Sequence, residues 1–516
     1  MEIIPNKFAR RIMNSAGVHT STRTVRAAPF VIFFLLLVIS VPPWLHAQPS
    51  SFVPEWVKDA IFYQVFPERF ANGDPTNDPP RTEPWGAEPK GNNYFGGDLK
   101  GIINHLDHIS SLGVNALYLN PIFESNSNHK YHTTDYLKID PYFGDDEEFK
   151  TLVDECHARG IRIILDGVFN HTGVDFFPFR DIKENGARSK YLGWFNIYSL
   201  PIGPVSKPNY ECWWGLGDLP KLMTHNPDVR QYLFHVTRHW MEFGIDGWRL
   251  DVPNEIPHEF WIEWRPLVKS INPEAYIVGE IWEDATPWLK GDQFDAVMNY
   301  RFRNACIDFF ARNNTTASQF DSVLTKARSD YPDDVNYVLQ NLLGSHDTER
   351  FLTLCKGDFN MLKLATLFQM TYVGAPMVYY GDEVGMRGGK DPGCRGTMVW
   401  DEADQDRNLL QSFRDAIQLR NQNIALRRGR FETLIADDGK SVYAFVRRHA
   451  DQVAVVVLNN STEQQSVIVP LSTVDAKSSW KKIWPADGRN VGTSSPSNAM
   501  TLPSRSGIVF VGDRSR

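Results

Sequence analysis

From residue 59 onward, short runs of β-branched and aromatic residues alternate with stretches whose apolar positions recur at helical spacing. That alternation is the pattern of βα units around a parallel sheet. Eight runs can be placed: AIFYQVF (60–66), VNALYL (114–119), IRIILD (161–166), IDGWRLD (245–251), YIVGE (276–280), FDAVMN (294–299), NLLGSHD (341–347) and PMVYYGDE (376–383). They predict an α/β fold, a (β/α)8 TIM barrel over 54–426. The stretch 170–224, rich in Pro, Gly and aromatics, is too long for a plain connection and predicts a small excursion domain after strand 3. A helical stretch at 407–426 closes the barrel. Beyond it, SVYAFVRR, QVAVVVLNN and SGIVFVGD alternate at strand spacing and predict a C-terminal antiparallel β-sandwich over 427–516.

The first residues follow a different pattern. Lys7, Arg10, Arg11, Arg23 and Arg26 precede the run FVIFFLLLVISV (30–41), which meets Pro42, Pro43 and the small residue Ala47. This is the layout of a signal peptide, placed at 1–47. As a helix the run rises only about 18 Å, against a hydrocarbon core of about 30 Å. The expectation is a secreted or periplasmic protein with no stable membrane insertion after cleavage. The long basic region and the imperfect site Leu45-His46-Ala47 leave an uncleaved anchor as the alternative.

Composition narrows the partners. A chain of 516 residues exceeds one ordinary domain, and its 15 Trp, 18 Tyr and 32 Phe are a large aromatic stock of the kind that sugar rings can stack on, but most aromatics serve core packing and composition alone does not indicate carbohydrate. A net charge of −8, without a Lys/Arg run in the mature region, gives no field for a polyanion and excludes nucleic acid as a partner. Cys156, Cys212, Cys306, Cys355 and Cys394 show no metal-ligand spacing and read as packing residues; a Cys355–Cys394 bridge stays open.

In a barrel of this kind the working residues sit where strands end at the carboxyl face. The acids lie there: Asp166 ends strand 3, Asp251 strand 4, Glu280 strand 5, and His346 with Asp347 strand 7. Arg249 and Asp251, two apart, share one side of the pleat. The cation should hold Asp251 ionised and below the usual carboxylate range, as suits a nucleophile, while a second carboxyl nearby, Glu280, is raised and serves as the acid.

These positions carry a resemblance. DGVFNH (166–171), GWRLDV (247–252), VGEIW (278–282) and GSHD (344–347) stand in the order and spacing of the α-amylase superfamily, over about 57–400, with the sandwich following. The resemblance implies an α-glucan or maltooligosaccharide substrate, Asp251 as nucleophile, Glu280 as general acid/base and Asp347 as stabiliser of the transition state. It places Asp166, Arg249, His171 and His346 around subsite −1, and NHKYHTTDY (128–136) nominates Tyr131 as stacking platform beside His129.

EIWEDATPWLKGDQFDAVMNY (280–300), DEVGMRGGKDPGCRGTMVWD (382–401) and LPKL (219–222) resemble the cyclomaltodextrinase, neopullulanase and maltogenic amylase branch. That branch implies acceptor-side roles for Glu255 and Trp282; Pro253 departs from its pattern and puts the balance of transfer and hydrolysis in doubt. NGDPTND (72–78) with FGGD (95–98) gathers hard oxygen donors, and the branch implies a structural Ca2+ held by Asn72, Asp74, Asn77, Asp78, the Gly96 carbonyl and Asp98. From the residues alone an Asx-rich turn without metal stays open. Members of the branch usually carry a β-domain before the barrel, whereas here strand 1 starts soon after the expected cleavage point. A more open site is therefore expected, a monomer is one outcome, and the oligomeric state stays open. Two other readings remain: an oligo-α-1,6-glucosidase, and a membrane-anchored amylase-like protein without catalysis.

Overall fold

The computed structural model describes residues 52–469, 471–474, 479–485 and 499–513. The basic segment and apolar run assigned to a signal peptide lie outside these residues. Among the described residues no helix is long and apolar enough to cross a membrane.

Eight short strands form one parallel sheet: β1 (Phe62–Val65), β2 (Ala116–Leu119), β3 (Arg162–Gly167), β4 (Gly247–Leu250), β5 (Tyr276–Gly279), β6 (Ala296–Val297), β7 (Gln340–Leu342) and β8 (Ala375–Tyr379). Neighbours run β6-β5-β4-β3-β2-β1-β8-β7. A parallel bridge from Met298 to Gln340 joins the two edges and closes the ring. The strands read as apolar runs because helices cover the barrel outside and side chains fill it inside; β1, β2, β4 and β5 are buried at every position.

The covering helices include α1 (Leu106–Leu112), α2 (Asp146–Ala158), α3 (Pro227–Glu242), α4 (His258–Ile271), α5 (Ala317–Asp330), α6 (Phe359–Thr371) and α7 (Arg407–Gln422). Their starts are written locally. Asp145, Asn226, Asp358 and Asp406 accept from first-turn amides, and Thr316 with Gln319 forms a capping box. The stretch expected as one closing helix is interrupted at Asn423, whose extended backbone (φ −123°, ψ 105°) separates α7 from a short turn at Ile424–Arg428.

Strand 7 also differs from its expected span. It stops at Leu342, because the chain turns where Thr348 Oγ1 accepts from the Ser345 amide at 3.0 Å. His346 and Asp347 therefore sit in the loop beyond the strand, not at its end.

Two excursions shape the barrel mouth. After β2, a hairpin of Phe123–Ser125 with Thr133–Ile139 carries the loop holding His129 and Tyr131. After β3, bridges His171–Lys221, Phe195–Leu222, Ile197–Tyr210 and Cys212–Pro220 tie the aromatic-rich segment into a small layer.

Past the barrel, β9 (Arg430–Asp437), β10 (Val442–Arg448), β11 (Gln452–Asn459), β13 (Ser479–Trp484) and β15 (Ser506–Asp513) form an antiparallel sheet in the order β9-β10-β11-β15-β13, and β12 (Gln465–Ile468) pairs with β14 (Ala499–Leu502). Alternation divides the sheet between two cores. Tyr443, Phe445, Ala454, Val456 and Leu458 join the barrel core, where Phe445 meets Phe368 of α6 at 5.9 Å. Val442, Ala444, Val446, Val453, Val455 and Val457 face the second core. With both faces covered, these strands need no polar side.

Candidate active site

Register builds the site. Asp166 in β3 and Arg249 in β4 are partners across the parallel ladder, and Asp251 and Glu280 each lie one residue past their strands. Buried Arg249 is the hub. Its Nη1 donates to Asp166 Oδ1 (2.8 Å), Asp166 Oδ2 (3.0 Å) and Asp251 Oδ1 (2.9 Å). Its Nη2 lies 2.8 Å from Glu280 Oε2 as an ion pair. Glu280 is held from two further sides, accepting from Trp282 Nε1 at 2.9 Å and from the Val252 amide at 3.1 Å. Val252 sits at φ 36°, ψ 49°, a left-handed conformation costly for a β-branched residue, of the kind that collects at functional sites.

A second layer fixes proton positions. Asn120 Nδ2 donates to Tyr131 Oη (2.9 Å), so its Oδ1 is the acceptor for Gln64 Nε2 at 3.0 Å. The same Gln64 nitrogen reaches His346 Nδ1 at 2.9 Å. That nitrogen must then be the acceptor, which places the His346 proton on Nε2, 2.6 Å from Tyr131 Oη and 3.0 Å from Asp347 Oδ2. Tyr131 in turn donates to Asp166 Oδ2 (2.9 Å), beside Tyr118 (2.7 Å), and stacks on His346 with rings 3° from parallel. Asp347 is braced by Arg395 Nη2 at 3.1 Å.

His171 Nε2 stands 3.9 Å from Asp251 Oδ2 and is buried without a hydrogen-bond partner. Burial pushes its imidazole down to about 3, so it is neutral at ordinary pH. Burial also lowers His129 and His346 well below the usual imidazole range.

One sequence expectation is overturned. Arg249 does not bring Asp251 below the usual carboxylate range. Burial pushes it well above, against the pull of Arg249, with Glu280 and Asp166 adding repulsion. Glu280 is raised too, first by burial, with the charge of Asp347 adding to it. Three buried carboxyls share one guanidinium, so a single cation does not offset burial for Asp251 and Glu280, and both are raised.

These groups open onto a cleft of about 740 Å³ lined by Asp251, Glu280, Asp347, His129, Tyr131, His171, Glu255, Trp282 and His346. Asp166 and Arg249 lie beneath it. Glu255 is on the rim, where its carboxylate accepts from Trp213 Nε1, Trp214 Nε1 and Lys221 Nζ, each at 3.1 Å. Sequence reading missed Gln64, Tyr118, Asn120, Arg395, Trp213 and Trp214. Gln64 left a signal, a lone amide in the apolar run of β1; the others did not.

The six expected calcium ligands form a separate cluster. Asn72 Oδ1 and Asn77 Oδ1 are buried without donors, and a side chain at Gly96 would strike Asp78 Oδ1 and Asn72 Nδ2. Asp98 accepts from the Gly73, Asp74 and Gly101 amides, while Asp74 caps Thr76. Orphaned amide oxygens beside a carboxylate fit a hard cation. Among the described residues no group of three or more His, Cys, Asp or Glu side chains converges as a metal site, so the fit rests on amide and carbonyl oxygens together with the acids. The bridge left open between Cys355 and Cys394 does not form: all five cysteines are free, and Cys394 Sγ donates to the His346 carbonyl at 3.0 Å.

Comparison with known proteins places this geometry. Residues 64–423 match the alpha amylase catalytic domain, and 434–513 match the alpha amylase C-terminal all-beta domain. The chain is 54% identical over 429 residues to neopullulanase 2 of Thermoactinomyces vulgaris, covering 83% of this chain and 73% of that protein. It is 51% identical over 437 residues to a cyclomaltodextrinase of Thermoanaerobacter pseudethanolicus, covering 84% and 75%. The structure superposes on the cyclic alpha-maltosyl-(1→6)-maltose hydrolase of Arthrobacter globiformis, solved with that sugar, with a TM-score of 0.83 at 41% identity over 89% of this chain and 99% of the other. A barrel with three acids at its mouth, a matching C-terminal sheet domain and relatives of this closeness together make the chain a member of the α-amylase family of glycoside hydrolases.

Proposed function

We propose that this protein is a retaining α-glucan hydrolase, cleaving α-1,4 glucosidic bonds, with α-1,6 as a second linkage, in maltooligosaccharides, cyclodextrins, pullulan or starch, with transfer to a sugar acceptor as a competing outcome. The observation that carries the reading is the single guanidinium of Arg249 spanning Asp251 and Glu280 beneath an open cleft. Two carboxyls held by one guanidinium fit the separation of about 5–5.5 Å that retention needs, closer than the roughly 6.5–9.5 Å that lets a water between.

Asp251 Oδ1 is occupied by Arg249, which leaves Oδ2, facing the neutral His171, to attack the anomeric carbon. As that bond forms, the bond to the glycosidic oxygen breaks and the oxygen takes the proton from Glu280. The covalent glycosyl-enzyme then meets water or a sugar hydroxyl, which gives its proton to Glu280 and displaces Asp251 with net retention. Asp347, braced by Arg395 and His346, faces the sugar ring and balances the oxocarbenium-like charge.

Asp251→Asn and Glu280→Gln should each lower turnover on maltoheptaose by about 10³-fold or more while the protein stays folded. Panose released from pullulan supports the α-1,4 reading. Turnover undiminished in either variant, or cleavage of isomaltose alone, refutes it.

The reading extends to a structural Ca2+ at the Asn72, Asn77, Asp78 and Gly96 corner, with Asp74 and Asp98 beside it, and to an exported protein on the strength of the N-terminal sequence. The ion would clamp the loops after β1. Chelation should lower the melting temperature and added calcium should restore it; an unmoved melting temperature counts against the site.

A further inference from the structure

Eleven large apolar side chains are exposed among the described residues, and five of them, Tyr198, Leu200, Val205, Trp214 and Leu216, lie on the excursion after β3. Trp214 is the most exposed of all, at 79%. It ends a ladder of rings that starts at the reacting centre. His171, beside Asp251, stacks on Trp213 at 5.3 Å and 25°, and Trp213 stacks on Trp214 at 4.8 Å and 17°. The inner face of Trp214 is therefore covered and its outer face is free.

The ladder is held deliberately. Trp214 sits at φ 48°, ψ 26°, followed by Gly215 at φ 78°, a turn that costs a bulky residue free energy unless its surroundings fix it. Four hydrogen bonds do so. The Trp213 amide donates to the Leu219 carbonyl and the Leu216 amide to the Trp213 carbonyl, both at 2.9 Å. Both indole N–H groups converge on one oxygen, Glu255 Oε1, while Lys221 takes Oε2. A tied indole N–H beside an open apolar face offers a pyranose ring a rigid plane. Trp214 and Leu216 line the same cleft as Asp251, Glu280 and Trp282, so the plane continues the site outward.

We propose that the outer face of Trp214 is a stacking subsite for a glucose ring of the acceptor-side chain, at the outer rim of the cleft, and that Glu255 is the positioning residue that holds it. This rests on the α-glucan hydrolase reading above. Glu255 then influences the acceptor through two indoles and not as a free carboxylate meeting the sugar, and the enzyme selects chains long enough to reach the rim.

The test is the ratio of kcat/KM for maltoheptaose to that for maltotriose. Trp214→Ala should lower the ratio about three- to tenfold through KM for the longer sugar. Glu255→Ala should lower it comparably, and Glu255→Gln, which keeps an oxygen acceptor for the indoles, should recover most of it. In the Trp214→Ala background, Glu255→Ala should change the ratio no further. An unchanged ratio in Trp214→Ala overturns the subsite, and a full additional effect of Glu255→Ala overturns the positioning role. A wild type that elutes as a dimer and a Trp214→Ala variant that elutes as a monomer would give the face to a second copy of the chain and also overturn the proposal. Absence of hydrolysis of either sugar by the wild type would instead remove the α-glucan reading on which it stands.

Discussion

The two sides of the cleft are built on opposite terms. The inner wall, made of Gln64, Tyr118, Asn120, Asp166, Arg249 and His346, is at most 1% exposed. All but His346, which the loop after β7 supplies, come from barrel strands or the residue just past one, and together they form a single hydrogen-bond network. The outer rim, made of Trp213, Trp214, Leu216 and Trp282, comes from loops and meets solvent over much of its surface; Trp282 is 40% exposed. Bond cleavage needs atoms fixed to a fraction of an ångström, and packed strands supply that. Choice among glucans needs a surface that varies without disturbing the barrel, and loops supply that. The rim is still not loose: Glu255 ties two indoles to the loop after β4, and Trp282 stacks on Tyr300 at 3.8 Å while its N–H orients the acid.

The largest effect that can break this comparison falls on Arg249. Arg249→Met would leave Asp166, Asp251 and Glu280 buried with no counter-charge. Removing one partner of a buried ion pair costs about 3–5 kcal/mol, and, on the proposed mechanism, losing the group that orients both carboxyls should cost about 10²–10³-fold in kcat. Arg249→Lys keeps the charge but not the fork that reaches three carboxyls, and should fall between. Denaturant titration and kcat on maltoheptaose measure both. If Arg249→Met keeps wild-type stability, the inner wall is not the interdependent network described here.

The same contrast explains what could be read from the sequence. Asp166, Arg249, Asp251 and Glu280 were legible because strand periodicity and strand ends fix direction, and the fold supplies the convergence. Asp347 was legible as a residue but not in its place, since β7 stops early and a turn at Ser345 carries the acid inward. Gln64 could have been found as a lone amide in an apolar strand. Arg395, Trp213 and Trp214 could not, because nothing local says which loop residues face a cleft formed by segments far apart in the chain. The pKa of Asp251 was read in the wrong direction for a related reason. Sequence spacing reveals the neighbouring cation, but the depth of burial that outweighs it is a property of the assembled barrel.

That burial leads to the smallest effect, one that separates function from stability on the inner wall. The folded state raises Asp251 above its unfolded value of about 3.9, so the native protein holds this proton more tightly than the unfolded chain does. The sign follows: the carboxyl's contribution to stability is fully present below the unfolded value and is lost as pH rises through the folded one. At pH 7 the buried carboxyl therefore carries a cost, one that the proposed nucleophilic role would account for. Asp251→Asn keeps an oxygen to accept from Arg249 Nη1 and removes the charge. It should raise stability at pH 7 by about 1 kcal/mol, with the gain shrinking towards pH 4. Glu255→Gln, the matched change on the rim, gives up the ion pair with Lys221 and should show no such gain. Melting temperatures of the three proteins between pH 4 and pH 8 measure the difference. A gain for Asp251→Asn that does not change with pH would mean that its origin is packing and not the buried charge.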